Sequence, residues 1–149
     1  MARDRKIKSK MVVLASDHAG FKLKEEIKKF LIKKRKKVLD LGTKNTSSVD
    51  YPDYAHLLSK KMRDVRNQFG ILICGSGTGM SMTANKHKNI RAALCYDIKS
   101  TKLSRLHNNA NVMTMGARLI KKNVALKCVS TFLGTNFDGG RHIRRIKKI

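Results

Sequence analysis

No run in this sequence approaches the roughly 18 consecutive apolar residues that a membrane-spanning helix requires, so no membrane span is expected. The first apolar stretch, residues 11–15, is also shorter than the roughly 7 to 15 residues of a signal-peptide core, and no export is expected. Cysteine is scarce. Cys74, Cys95 and Cys128 show neither CxxC nor Cys/His ligand spacing, which argues against a disulfide framework or a zinc motif and fits a reducing cytoplasm. No Ser/Pro-rich linker, low-complexity tract or internal repeat divides the 149 residues, a length that one core commonly organises. One domain over residues 1–149 is therefore expected, with residues 1–10 as a basic arm. Residues 139–149 form a basic tail in which a glycine turn leads into a short helix.

Acidic residues are few as well. Ten Asp and Glu face 34 Lys and Arg, a net charge of +24. Such a surface attracts polyanions, yet the cations are spread along the whole chain, including "FKLKEEIKKFLIKKRKK", and form no recognisable reading motif. Specific nucleic-acid binding is not expected. A solvated basic surface is, and small anionic substrates fit the same charge.

What the chain does have is five short apolar segments rich in β-branched residues, at 11–16, 38–41, 70–74, 90–96 and 112–115. Their continuous apolar character predicts strands covered on both faces. Between them lie helical patterns. Leu23, Ile27, Phe30 and Leu31 share one face of the first, and Tyr54, Leu58, Met62 and Val65 share one face of the second, which Pro52 and Asp53 start. Further helices are expected at 80–87, 101–106 and 120–133, the last with Val124, Cys128 and Phe132 at four-residue spacing. Alternation on this scale predicts an α/β fold, a Rossmann-like three-layer α/β/α sandwich around a five-stranded parallel sheet.

Open parallel sheets bind ligands beyond the carboxyl ends of their strands. Three polar clusters are expected at such ends: Asp17 with His18, the stretch from Cys74 to Gly79, and "HNNAN" from His107. Gly75, Gly77 and Gly79 let the backbone turn tightly and present N–H groups, and the helix that follows adds partial positive charge. The loop is GxGxG, without the GxGxxG spacing of a dinucleotide site or the Lys-Ser/Thr pair of a Walker loop, so nucleotide binding is not expected. It reads equally as an anion cradle or as a turn joining strand to helix. Cys74 reads as a packed residue or as a reactive thiol, and its place before a helix N-terminus favours the second. Cys95 and Cys128 read as core.

The stretches "SDHAGFKLKEEI", "LDLGT", "VDYPDYA", "GILICGSGTGMSMTANK", "IRAALC", "RLHNNANVMTMGARLI" and "FDGGRH", in this order, resemble ribose-5-phosphate isomerase B and its sugar-phosphate isomerase group. The resemblance runs from about Val12 to Arg145. It implies an aldose–ketose isomerase of the pentose phosphate pathway, interconverting ribose 5-phosphate and ribulose 5-phosphate through an enediolate. It implies no metal or organic cofactor, a phosphorylated sugar as partner, and a homodimer or a pair of dimers with active sites completed across the subunit interface. It further implies that Cys74 is the base for the carbon-bound proton, that His107 protonates the ring oxygen, and that Ser76 helps move a proton between the sugar oxygens. The N–H groups of Gly75, Ser76, Gly77, Thr78 and Gly79 would receive the enediolate oxygen. Asp17 and Asn108 correspond to residues that hold hydroxyls, and Arg141, Arg145, His18 and Arg118 to residues on the phosphate. Some relatives carry a carboxylate base just after the loop, where this chain has Met80, which leaves Cys74 as the base. His87 and His142 are left outside the site.

Other readings follow from the same residues. A relative acting on allose or galactose 6-phosphate would differ only in pocket length. A Cys-His hydrolase would use Cys74, His107 and Asp17. A charge-driven nucleic-acid module would leave those residues without a purpose.

Overall fold

The structure, a computed structural model, describes residues 10–62 and 67–149. The expected basic arm before Lys10, and Val65 of the expected second helix, lie outside them. The element order is β1 (Met11–Ser16), α1 (Phe21–Lys33), β2 (Val38–Asp40), α2 (Tyr51–Lys61), β3 (Gln68–Cys74), α3 (Thr78–Ala84), β4 (Ala92–Leu94), α4 (Ile98–Asn108), β5 (Val112–Gly116), α5 (Lys122–Gly134) and α6 (Arg141–Ile146). The five strands form one sheet in the order β2-β1-β3-β5-β4, with every pair parallel.

Side chains alternate across each strand, so the sheet separates two apolar layers. Val12, Leu14, Ile71, Ile73, Met113 and Met115 meet Leu23, Ile27 and Leu31 of α1 and Ala125, Cys128 and Phe132 of α5. Val13, Ala15, Leu72, Cys74 and Val112 face the other way, onto Ala55 and Leu58 of α2 and Met80 and Ala84 of α3. The expected three-layer sandwich follows from this double coverage. Each Leu, Ile, Val or Met so buried contributes roughly 1.5–3 kcal/mol. Cys95 and Cys128 lie in the first layer, and burial pushes the Cys95 thiol up to about 11 and the Cys128 thiol upward as well. Both are inert core residues at neutral pH.

Most expected boundaries move by one to three residues, and two of the shifts have a visible cause. The fourth strand, expected over 90–96, keeps only three residues, because the Arg91 N–H is drawn to the Asn111 side-chain oxygen at 2.8 Å instead of a strand neighbour. The fourth helix, expected over 101–106, starts at Ile98. Asp97 caps it by accepting the Ser100 N–H at 2.6 Å, a start signal that apolar spacing alone misses. The basic tail does form its short helix, α6.

A lysine lies inside this fold. Lys24 is 0% exposed, with its ammonium donating to Asp40 at 2.8 Å and to Glu25 at 2.9 Å. Lys28 adds a third cation–carboxylate contact at 3.1 Å, and the other Asp40 oxygen accepts the Gly42 N–H at 2.9 Å. The carboxyl thus ties α1 to the end of the edge strand β2. Burial opposes its ionisation, but the bonds from Lys24, the Gly42 N–H and Lys28, with the Lys24 charge, outweigh burial and hold Asp40 below its ordinary value.

Asp40→Asn should therefore destabilise the fold by roughly 3 kcal/mol at neutral pH, since it strips a buried ammonium of its main counter-charge. A group whose folded pKa is depressed contributes fully above its unfolded value, about 3.9, and loses that contribution as pH falls through the lower folded value. In urea titrations the gap between wild type and Asp40→Asn should narrow below about pH 4. A gap that does not change with pH would exclude the ion pair as its source.

Candidate active site

After β1 the chain leaves for α1 on one face of the sheet, and after β3 it leaves for α3 on the other. Such divergence opens a crevice at the carboxyl ends of the two strands. A cavity of about 420 Å³ lies there, lined by Asp17, His18, Ala19, Tyr51, Cys74, Gly75, Ser76, Gly79, Arg118 and Leu119.

Cys74 closes β3 and is 4% exposed at the cavity wall. The Gly77 N–H donates to its Sγ at 3.1 Å, so the loop folds back over the sulfur. Only glycine permits this turn. Gly77 has φ +80°, and a Cβ there would stand 2.7 Å from the Met115 backbone. Thr78 opens α3 with its N–H toward Ser76 Oγ at 3.4 Å, while the Ser76 side chain stays exposed to the cavity. Gly77 and Thr78 shape the loop without lining the cavity. Met80, 0% exposed, fills the core beneath it.

The other walls come from β1 and from the segment after β5. The Asp17 N–H reaches the Ile73 carbonyl at 3.2 Å, and one carboxylate oxygen accepts the Gly20 N–H at 3.0 Å, where α1 begins. The second oxygen has no partner among the described residues. His18 Nδ1 stands 3.1 Å from the Val49 N–H and 3.2 Å from the Val49 carbonyl, which anchors the ring to the segment before α2 and turns Nε2 away from that contact. Arg118 lies over the loop, so close that a Cβ on Gly75 would be 3.0 Å from its Nη1. The cavity thus joins a thiol, a carboxylate, an imidazole and a guanidinium on one rim.

His107, Asn108, Arg141 and Arg145 are not on that rim, which corrects the expectation that "HNNAN" stands at a carboxyl end. The helix α4 runs back from β4 and delivers His107 and Asn108 to the amino edge, just before β5, where α6 brings Arg141 and Arg145. There the Asn108 carbonyl accepts from Arg91, immediately before β4. A Cys74-His107 hydrolytic pair within one chain is excluded by this placement. The amino-edge group is nonetheless organised. His107 stacks on His142 with ring centroids 4.4 Å apart and planes within 16°, and α6 carries Arg141 and Arg145 one turn apart. Burial first, then His107, Arg141 and Arg145, push the His142 imidazole below its ordinary value, with Asp138 opposing.

His107, Asp138 and His142 place candidate ligand atoms within 4.8 Å of one another. Near-parallel rings do not aim their lone pairs at one point, and two arginines stand beside them, so the group suits an anion better than a metal ion. Sequence reasoning missed His142 as the neighbour of His107, and Tyr51 and Leu119 as cavity walls. Tyr51 has a signal in the sequence, since it is the first tyrosine of the "VDYPDYA" motif. His87, also left aside, meets His56 at 2.6 Å between ring nitrogens, far along the loop that follows α3.

A family model for ribose/galactose isomerases matches residues 12–149. The chain is 39% identical over 140 residues to ribose-5-phosphate isomerase B of Escherichia coli, covering 94% of each. Among solved structures, a ribose 5-phosphate isomerase of Thermotoga maritima superposes with a TM-score of 0.90 at 49% identity, covering 93% of this chain and 95% of that one. Ribose-5-phosphate isomerase B of Mycoplasma genitalium, solved with bound ribulose-5-phosphate, gives 0.91 at 43% identity, covering 94% and 93%. With nearly its whole length matched in sequence and in fold, the chain belongs to the ribose/galactose isomerase family.

Proposed function

We propose that this protein interconverts ribose 5-phosphate and ribulose 5-phosphate, acting as one isomerase domain in the cytoplasm. No helix among the described residues is long and apolar enough to cross a membrane, and the three cysteines are free. The observation that carries the reading is the cavity in which Cys74 Sγ, the Asp17 carboxylate and the Arg118 guanidinium converge around a glycine loop. Aldose-to-ketose conversion needs each of them. A base must take the proton from C2 and return it to C1, while the O2 proton passes to O1. Cys74 as thiolate suits the first task, with the Gly77 N–H already aimed at its sulfur. The enediolate oxygen that forms between these steps needs preorganised donors, and the loop from Gly75 to Gly79 offers its free N–H groups. Ser76 suits the transfer between oxygens, and the free oxygen of Asp17 suits a sugar hydroxyl. Arg118 and the His18 imidazole suit the phosphate side.

Ring opening and the remaining phosphate charge fall to His107, Asn108, Arg141 and Arg145, which one chain holds at the opposite edge of its own sheet. A homodimer resolves this if the amino-edge group of one protomer enters the cavity of its partner. Exposed apolar side chains beside β4 support a second copy there, with Tyr96 at 62% and Leu119, on the cavity rim itself, at 75% exposure. The pentose reading is favoured over a hexose 6-phosphate, because the E. coli relative is named for ribose 5-phosphate and the M. genitalium protein holds ribulose-5-phosphate.

The purified protein should turn over ribose 5-phosphate without added nucleotide. Cys74→Ala should lower kcat by roughly 10²–10⁴-fold and leave a folded protein, as expected of a lost proton-transfer group. Near-normal turnover would reject Cys74 as the base. Arg145→Ala should act mainly through KM, with about a tenfold loss in kcat/KM, because it removes one charged contact to the phosphate. Mixing inactive Cys74→Ala and His107→Ala subunits should restore about a quarter of wild-type activity, since half the random dimers are hybrids with one intact site. No recovery on mixing would place both residues in the same protomer's site.

A further inference from the structure

At the amino edge of the sheet, where β1 and β3 begin, a second cavity of about 210 Å³ is lined by Lys10, Val12, Lys36, Phe69, Arg105 and Leu133 among others. Phe69 precedes Cys74 on β3 by five residues, so roughly 17 Å of strand separates this cavity from the catalytic one. Its charges are held unusually. Lys10 Nζ stands 4.3 Å and Arg105 Cζ 4.9 Å from the centroid of the Phe69 ring. Arg105 is 5% exposed. Its Nε donates to the Thr135 carbonyl, and its Nη1 donates to Asn109 Oδ1 and the Ala110 carbonyl. Its Nη2 has no acceptor among the described residues. Neither Lys10 nor Lys36 is paired with a carboxylate among the described residues. Burial, and then the Arg105 charge, push the Lys10 ammonium below its ordinary value. Among the described residues, like charges are thus gathered over an aromatic floor with no counter-charge, and an anion would relieve both their repulsion and their desolvation.

We propose that this cavity binds a small phosphate monoester with an apolar body. The phosphate takes Arg105 Nη2 and the ammonium groups of Lys10 and Lys36, and the apolar body lies on Phe69, Val12 and Leu133. Phosphate fits better than carboxylate because three separate donors face one concave space and a dianion balances two lysines that have no carboxylate partner among the described residues. Nothing in this site depends on the isomerase reading.

The test is a titration of the full-length, ¹⁵N-labelled protein with phenyl phosphate, followed by amide NMR shifts. Lys36, Phe69, Arg105 and Thr135 should shift along one binding curve. The Lys10→Gln/Lys36→Gln double variant should weaken that curve by about tenfold or more, the scale expected for lost charged contacts. Should the double variant fail to fold, Lys36→Gln alone, at an exposed residue, should still weaken binding severalfold. Lys127→Gln, on the exposed surface of α5 and outside the cavity lining, should leave the curve unchanged, and inorganic phosphate should bind more weakly than phenyl phosphate. Shifts confined to the loop from Gly75 to Gly79 and Arg118 would overturn the proposal. So would equal weakening by Lys127→Gln, which would reduce it to diffuse attraction by a basic surface, or equal affinity for inorganic phosphate, which would remove the apolar floor from the site.

Discussion

The parallel register that sets Ser16 of β1 against Ile73 of β3 fixes where Asp17 and Cys74 stand, and the remaining site geometry is hung on those two positions. Central strands buried on both faces cannot slip, because a shift by one residue would turn Leu14, Ile71 and their neighbours out of one apolar layer and into the other. The strand ends are also stitched to each other, with the Asp17 N–H on the Ile73 carbonyl. The crevice is therefore a by-product of packing. Two helices leave adjacent strands toward opposite faces, and the space between their starts is filled by side chains chosen for chemistry.

Much of this was legible in the sequence because the signals are strong where burial is complete. The continuous apolar runs of β1, β3 and β5 mark the sheet centre, and the glycine loop after Cys74 marks the turn that wraps its sulfur. Legibility failed at the edges. The strand β4 is short because a side chain, Asn111, captures a backbone donor, an event that no hydropathy pattern encodes. The first turn of α4 depends on the Asp97 cap and carries an exposed Ile98, so periodicity starts too late. The placement of His107 differs from expectation for another reason. A helix that follows a parallel strand returns the chain to the amino edge, so a cluster that comes after both strand and helix stands there and not at a carboxyl end.

The charge of the molecule also divides in two. Most of the lysines lie at the open surface, where salt screens them. Lys24 is of another kind. It lies within the fold, held by Asp40 and Glu25, and belongs to the architecture more than to the surface field. A basic composition therefore conceals one cation whose role is to fasten an edge strand.

The strand length that separates Cys74 from His107 has one last consequence. On the proposed division of labour a solitary folded chain is silent, since neither group can reach the other through the hydrocarbon layers between them. Mass action then sets the output: halving the chains in dilute solution removes more than half of the working assemblies, and specific activity becomes a measure of how often two copies meet.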